Sequence, residues 1–130
     1  MRVLFVDDDA MNRRVVRDML GIAGVALDEA ADGQAGLDMV ESNEFSLILM
    51  DLRMPGMDGM EATRRIRART DHKAQLPIVV LTADTSADIR ERCMSQGADE
   101  VMMKPVAMQP LFKMMALIVA ARAKLRAKSA

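Results

Sequence analysis

Carboxylate, hydroxyl and ammonium groups directly follow four separate apolar runs of this sequence. They belong to three consecutive aspartates, a lone aspartate, a threonine and a lysine: Asp7, Asp8, Asp9, Asp51, Thr82 and Lys104. A carboxylate at the rim of an apolar run costs free energy unless a cation pairs with it. Carboxylate oxygens are ligands of hard divalent cations, and a hydroxyl beside a lysine can bind the oxygens of an anion. These residue types predict a site for a divalent cation and an oxyanion, provided that the fold brings them together.

The elements that would position these residues follow from the spacing of the apolar residues. Short apolar runs predict strands at 3–6, 25–30, 45–50, 77–81 and 101–103. Apolar residues at helical spacing predict helices at 11–20, ending at Gly21 or Gly24, and at 34–42, 60–69, 87–96 and 108–124. This alternation predicts an α/β fold in which a parallel sheet is covered by helices on both faces.

One edge of the predicted sheet would collect all the polar groups, because ligands of an open parallel sheet bind beyond the carboxyl ends of its strands. Each group also has a simpler interpretation. The three aspartates could cap a helix, Thr82 could be a strand-end hydroxyl and Lys104 a solvated surface residue. Separate interpretations do not explain why every group follows a strand, so a shared site is the favoured prediction.

Composition limits the classes of protein to which the chain can belong. Its 130 residues, 51% of them hydrophobic, predict one globular domain, 1–130, with a core of about 3–124 and a short basic tail. The net charge of −1 gives no general attraction to nucleic acid, and no apolar run could span a bilayer. A single cysteine, Cys93, excludes an internal disulfide, and the N-terminus lacks a signal-peptide layout. We therefore expect a cytoplasmic protein that binds neither nucleic acid nor membrane.

Four motifs resemble those of the receiver domains of bacterial two-component response regulators. They are VDDD at 6–9, MDLRMPGMDG at 50–59, VLTA at 80–83 and MKP at 103–105. The resemblance extends from Val3 to about Lys124, and residues 50–67 are most similar to receivers attached to hybrid sensor histidine kinases. It implies a flavodoxin-like (βα)5 fold, a doubly wound parallel sheet with the strand order 2-1-3-4-5.

The resemblance also implies a magnesium site. Asp8 and Asp51 match carboxylate ligands of Mg²⁺, and Asp7 matches an acidic neighbour that often acts through water. Arg53 matches the position whose main-chain carbonyl binds the ion. Because three acidic groups crowd together, we expect at least one raised carboxyl pKa and a strained metal-free pocket.

Three residues match the family's positions for phosphoryl transfer. Asp51 matches the phosphoacceptor, Thr82 the hydroxyl that binds a phosphoryl oxygen, and Lys104 the lysine that pairs with the phosphate. Lys104-Pro105 resembles the family's cis peptide bond. These residue types agree with the chemistry, because phosphoryl transfer needs an in-line nucleophile, a bridging cation and positive charge where negative charge develops.

Two further features bear on the lifetime of a phosphorylated form and on its signalling. Arg53 and Asp84 lie two residues after the predicted phosphoacceptor and hydroxyl, where a pair between them would shield the phosphoryl group from water. Val101 occupies the position at which receivers with an aromatic switch carry Tyr or Phe, and the chain has no Tyr. A receiver that passes phosphate onward in a relay does not need that switch.

The predicted function is therefore a phosphoacceptor receiver, supplied by the phosphohistidine of a histidine kinase or a histidine phosphotransfer protein. It would signal by conformational change or onward transfer. It is not an enzyme beyond catalysing its own phosphorylation and dephosphorylation. A stand-alone receiver and one from a hybrid kinase both fit, with no output segment expected after the last helix. The alternative is a phosphorylation-independent adaptor that keeps a vestigial site.

Other phosphate-binding folds fit the residues less well. A phosphatase of the haloacid dehalogenase type needs an aspartate two residues after the nucleophile, where this chain has Arg53. P-loop, dinucleotide-binding and flavodoxin proteins need a phosphate-binding turn after the first strand, and the acidic segment 7–10 would instead repel phosphate without a metal. His72 lies in a polar segment away from the strand ends, so we expect it to be solvated.

The last predicted helix carries two apolar rows. The row expected to pack on the sheet is Leu111, Met115, Ile118 and Leu125. The second row either packs against a neighbouring helix or forms a face for a partner or a homodimer, and consists of Met108, Phe112, Ala116, Val119 and Ala123. The basic residues near its end suit a helix C-terminus and need no nucleic acid: Arg122, Lys124, Arg126 and Lys128.

Overall fold

A computed structural model describes the backbone of residues 1–129 and the side chains of residues 1–124. The strands are β1 (Arg2–Val6), β2 (Ala26–Ala30), β3 (Leu47–Asp51), β4 (Ile78–Thr82) and β5 (Glu100–Met103). The helices are α1 (Ala10–Ile22), α2 (Gly33–Ser42), α3 (Gly59–Arg67), α4 (Ile89–Ser95) and α5 (Met108–Ser129). A short 3₁₀-helix, His72–Gln75, lies between α3 and β4.

The five strands form one parallel sheet in the order β2-β1-β3-β4-β5, which confirms the predicted fold. Alternate residues of a strand point to opposite faces, so the two faces of the sheet support separate core layers. Leu4 and Val6 pack in the layer of α2, α3 and α4, whereas Val3 and Phe5 pack in the layer of α1 and α5. Cys93 is buried in the first of these layers, as expected for a small helical residue.

Helix α1 differs from its prediction in length and in the face that it buries. It continues through Gly21 to Ile22 because Leu20 is buried against the sheet, and the turn is made by Gly24 at a φ of +70°. Met11 and Val15 belong to the predicted apolar pattern, yet they are 64% and 43% exposed.

The segment between α3 and β4 is more ordered than the solvated loop that its polarity predicts. The Nζ of Lys73 is buried and donates to the carbonyl oxygens of Val40 and Glu41, each at 2.8 Å. These carbonyls belong to the last turn of α2, where a cation is favoured by the helix dipole. His72 is exposed as predicted and lies 2.9 Å from Glu44.

Helix α5 buries Leu111 and Met115 against the sheet, which confirms that row, and Ile118 is half-buried; Leu125 lies outside the residues with described side chains. Arg122 is not a solvated tail residue. Its Nε donates to Asp99 at 2.6 Å, and Asp99 also pairs with Arg67 at 2.9 Å. Burial and the charge of Arg122 lower the pKa of Arg67 to about 10.

Lys124 is exposed, and Arg126 and Lys128 lie outside the residues with described side chains. None of the helices in the described part of the chain combines the length and hydropathy needed to cross a bilayer.

Candidate functional site

The register of the sheet brings the predicted site residues to one edge. Asp51 is the last residue of β3, and its neighbour across the ladder is Leu81, directly before Thr82. Thr82 in turn faces Met103, directly before Lys104. On the other side, Val6 of β1 faces Met50, so Asp7 follows β1 next to the end of β3. The predicted convergence at the carboxyl ends of the strands is therefore present.

Three carboxylates form a compact cluster at this edge. Asp7, Asp8 and Asp51 each offer an oxygen, and these oxygens lie within 4.8 Å of one another. Asp7 is fully buried and Asp51 nearly so, whereas Asp8 is exposed to solvent. An all-oxygen donor set that is open on one side fits Mg²⁺, which binds one or two protein carboxylates and keeps several waters.

Lys104 is the cation that faces this cluster. Its Nζ lies 2.7 Å from Oδ1 of Asp51 and 3.3 Å from Oδ2 of Asp7. Burial by itself would lower the pKa of Lys104, but the hydrogen bond and charge of Asp51, with those of Asp7, raise it overall. Lys104 therefore holds a positive charge beside the predicted phosphoacceptor. The Lys104–Pro105 peptide bond is cis, as the resemblance implies.

The pKa of Asp51 is raised, which confirms the expectation of one raised carboxyl pKa. Burial is the largest cause, and the charges of Asp7 and Asp8 add to it. The hydrogen bond from Lys104 opposes the shift. Desolvation therefore raises the pKa of Asp51 more than the repulsion between like charges does, although the sequence-based expectation depended on that repulsion.

The loop after β3 fixes the backbone of Asp51. A Cβ at Gly59 would collide with the carbonyl oxygen of Asp51, so only glycine permits this close approach. The amide of Gly59 donates to the carbonyl of Leu52 at 2.8 Å, and Asp58 caps α3 by accepting from the amide of Glu61 at 2.9 Å. The MPGMDG sequence therefore encodes a turn that returns the chain directly onto the end of β3.

Thr82 and the Arg53–Asp84 pair border the site on the side of β4. Thr82 is buried, and its Oγ1 accepts a hydrogen bond from the amide of Asp84 at 2.9 Å. Arg53 is 70% exposed and pairs with Asp84 at 2.7 Å, as the spacing predicts. Hydrogen bonds from Ser86, and then from Arg53, lower the pKa of Asp84 to about 2, so the Asp84 carboxylate is ionised at neutral pH.

Sequence reasoning missed two residues that hold Asp7. Nδ2 of Asn12 lies 3.3 Å from Oδ2 of Asp7, and Nη1 of Arg13 donates to the Asp7 carbonyl at 2.7 Å. Both stand in the first turn of α1, which Asp9 caps by accepting from the amide of Met11 at 2.8 Å. A polar side chain three residues after an N-cap can reach back past it, and that spacing was the available signal.

An apolar cavity adjoins this edge of the sheet, between α1 and the loop that follows β5. Its polar lining comes from Asp7, Asn12 and Lys104, and its apolar lining from Phe5, Val15, Val16, Leu81, Pro105 and Val106.

Comparison with known proteins agrees with this geometry. The family described as "Response regulator receiver domain" matches residues 3–116. The chain is 36% identical over 127 residues to the "Sensor histidine kinase RcsC" of Salmonella typhi, covering 98% of this chain but only 13% of that protein.

Solved structures that share the fold include the following two. The chemotaxis protein CheY4 of Vibrio cholerae has a TM-score of 0.84 and 31% identity, covering 90% of this chain and 97% of that one. The receiver domain of the sensor histidine kinase PA1611 from Pseudomonas aeruginosa has a TM-score of 0.83 and 32% identity, covering 92% of this chain and 97% of that one. The latter structure is described as having a magnesium ion coordinated in its active site cleft.

Proposed function

Because the chain belongs to the response regulator receiver domain family, we propose that Asp51 accepts a phosphoryl group from a phosphohistidine donor. The observation that carries this proposal is the position of Asp51 at the end of a buried strand, between the acidic cluster and the Nζ of Lys104. In the reaction an oxygen of Asp51 bonds to phosphorus, the phosphorus–nitrogen bond breaks, and its electron pair returns to the imidazole.

The residues around Asp51 have complementary tasks in this proposal. Asp7, Asp8 and Asp51, with the carbonyl of Arg53, would hold Mg²⁺, which supplies positive charge to the phosphoryl oxygens. Lys104 orients the Asp51 carboxylate and neutralises charge that develops on the phosphoryl group. The hydroxyl of Thr82 would turn toward a phosphoryl oxygen.

The partner class and the location follow from the same proposal. A histidine kinase or a histidine phosphotransfer protein would present the phosphohistidine, in keeping with the RcsC relative. We propose that this transfer takes place in the cytoplasm. Asp7 and Lys104 line the apolar cavity, so part of the donor could pack there while its phosphohistidine reaches Asp51. The near-neutral charge gives no reason to expect nucleic acid as a partner.

Val101 bears on how the domain would signal. It is partly buried and packs against the core layer of α2, α3 and α4. Its side chain has no ring that could move between buried and exposed positions. Onward transfer of the phosphoryl group therefore fits this chain better than an aromatic switch.

Incubation with radiolabelled acetyl phosphate tests the proposal against the adaptor alternative. A receiver incorporates protein-bound label only when Mg²⁺ is present, and it loses that label in alkali because hydroxide readily hydrolyses an acyl phosphate. An adaptor with a vestigial site incorporates no label under either condition. The same reaction with a phosphorylated histidine phosphotransfer protein tests the donor class.

Arg53→Asn is expected to shorten the lifetime of the aspartyl phosphate. The Arg53–Asp84 pair stands beside the site, so its loss should open a path for the water that attacks in line. The measurement is the dephosphorylation rate after removal of the donor, with exposed Arg64→Asn as the control. A rate within about twofold of wild type, or ~0.4 kcal/mol in the barrier, would contradict the shielding role.

Phe112→Ser and Val119→Asp are expected to weaken self-association or partner binding without preventing phosphorylation. Phe112 and Val119 pack against the core layer of α1 and α5 but are only half-buried. Ala116 and Leu117 are exposed next to them. Analytical ultracentrifugation and pull-downs measure the effect, with Lys113→Ser as the control on the same helix. Wild-type behaviour of both variants would mean that this row serves only the core.

A further inference from the structure

Asp7 is held at its carbonyl and at both carboxylate oxygens. The carbonyl accepts from Nη1 of Arg13 at 2.7 Å, and Oδ1 accepts from the amide of Asp9 at 2.8 Å. Oδ2 has two side-chain donors at the same distance of 3.3 Å, Asn12 and Lys104. A fully buried carboxylate with this many donors has one fixed orientation.

The two donors to Oδ2 differ in what else they bind. Lys104 is shared with Asp51, at the shorter distance of 2.7 Å, and in the proposed function it pairs with the phosphoryl group on Asp51. Of the two contacts of Lys104, the one with Asp7 is therefore the weaker. In the proposed function it would be lost when Lys104 pairs with the phosphoryl group. The amide of Asn12 has no such competing task, and remains as the side-chain donor that fixes Oδ2.

We infer that Asn12 is a positioning residue that holds the Asp7 carboxylate in one orientation and thereby favours Mg²⁺ over Ca²⁺ at this site. The inference rests on the proposed function, because it assigns a role toward the metal to a residue outside the ligand set.

Metal size gives the physical reason for this selectivity. Mg²⁺ requires nearly ideal octahedral geometry at about 2.0–2.1 Å, whereas Ca²⁺ accepts six to eight oxygens at about 2.3–2.6 Å in flexible arrangements. Without Asn12, Oδ2 of Asp7 keeps only the contact that Lys104 shares with Asp51, so the carboxylate can tilt about the hydrogen bond at Oδ1. A carboxylate with this freedom, or the water that it binds, can still serve Ca²⁺ but must first be ordered for Mg²⁺. Removal of a residue that orients a ligand typically weakens metal binding by about 10- to 100-fold.

The test compares both metals on one variant. Asn12→Leu keeps the branched shape and the number of side-chain heavy atoms but removes the donor, and isothermal titration of metal-free protein gives separate Kd values for Mg²⁺ and Ca²⁺. We expect the Kd for Mg²⁺ to rise by about tenfold or more. The Kd for Ca²⁺ should change by less than about threefold, since that ion tolerates a mobile ligand. Arg14→Leu, an exposed substitution on the same helix, is the matched control.

Three results would overturn the inference. Equal weakening of both metals would show a general loss of charge or structure, and unchanged Kd values would show that Asn12 does not act on the metal. Wild-type protein that binds no Mg²⁺ would overturn it together with the proposed metal site. Either of the first two results, alongside Mg²⁺-dependent phosphorylation of the wild type, would refute the role of Asn12 and leave the proposed function standing. If Asn12→Leu does not fold, Asn12→Ala provides the same comparison.

Discussion

Asp51→Asn is expected to abolish phosphate incorporation from acetyl phosphate and from a phosphorylated histidine phosphotransfer protein, while the fold survives. An asparagine has nearly the same shape as an aspartate. Its amide oxygen can still accept the hydrogen bond that Lys104 donates to Asp51 at 2.7 Å in the wild type. Its neutral amide oxygen is a poor nucleophile and cannot form an acyl phosphate. Intact-protein mass spectrometry measures the phosphate, and circular dichroism the fold.

Asp32→Asn is the matched control for this prediction. Asp32 follows β2 at the same edge of the sheet and caps α2 by accepting from the amide of Ala35 at 2.7 Å. Asparagine caps a helix about as well as aspartate, so this variant should fold and become phosphorylated like wild type. Peptide mapping that found the wild-type phosphate on a residue other than Asp51 would refute the assignment.

The buried strands were the most predictable part of the molecule. Central parallel strands are apolar on both faces, and β1, β3 and β4 bury nearly every residue, so each apolar run marks a strand. The carboxyl ends of such strands share one edge by geometry, which is why Asp51, Thr82 and Lys104 could be placed together without coordinates. Residue type and strand position together determine this part of the site.

Contacts between distant segments were not predictable in the same way. Lys73 and Arg122 have the residue types of a solvated surface, and each is held by acceptors 23 to 47 positions away in the chain. Their burial depends on where carbonyls and carboxylates of other elements lie after the helices have packed. Asn12 differs, because its partner Asp7 is only five residues away, and local capping geometry could have revealed it.

The exposure of Met11 and Val15 has a related cause. Helical spacing shows that apolar residues share a broad face, but only the sheet decides how much of that face it covers. Val16 and Leu20 contact the sheet, while Met11 and Val15 lie on the edge of the stripe and remain open to solvent.

Mg²⁺ is expected to raise the melting temperature of the domain substantially. The metal-free site carries the charges of Asp7, Asp8 and Asp51 within 4.8 Å, with Lys104 as the facing cation, and the raised pKa of Asp51 shows that its ionised form is disfavoured there, mainly by burial. An ion that binds the native state alone stabilises it by about 2.7 kcal/mol at 100 times its Kd. For a domain of this size that corresponds to roughly 10 °C.

Asp8→Asn is expected to reverse the order of the melting curves. Without Mg²⁺ the variant should melt above wild type, because one of three like charges is gone and its repulsion of Asp51 with it. With Mg²⁺ it should melt below wild type, because a lost carboxylate ligand should raise the Kd by more than about 100-fold, beyond the loss typical of a residue that only orients a ligand.

Two controls separate metal binding from general effects of salt and charge. NaCl at matched ionic strength should screen the acidic cluster without producing the shift that Mg²⁺ produces, since screening does not replace coordination. Asp9→Asn removes a charge next to the cluster but keeps an N-cap for α1, so it should retain the full response to Mg²⁺. A wild-type melt that does not respond to millimolar Mg²⁺, or curves for Asp8→Asn that never cross those of wild type, would refute the metal site at these carboxylates.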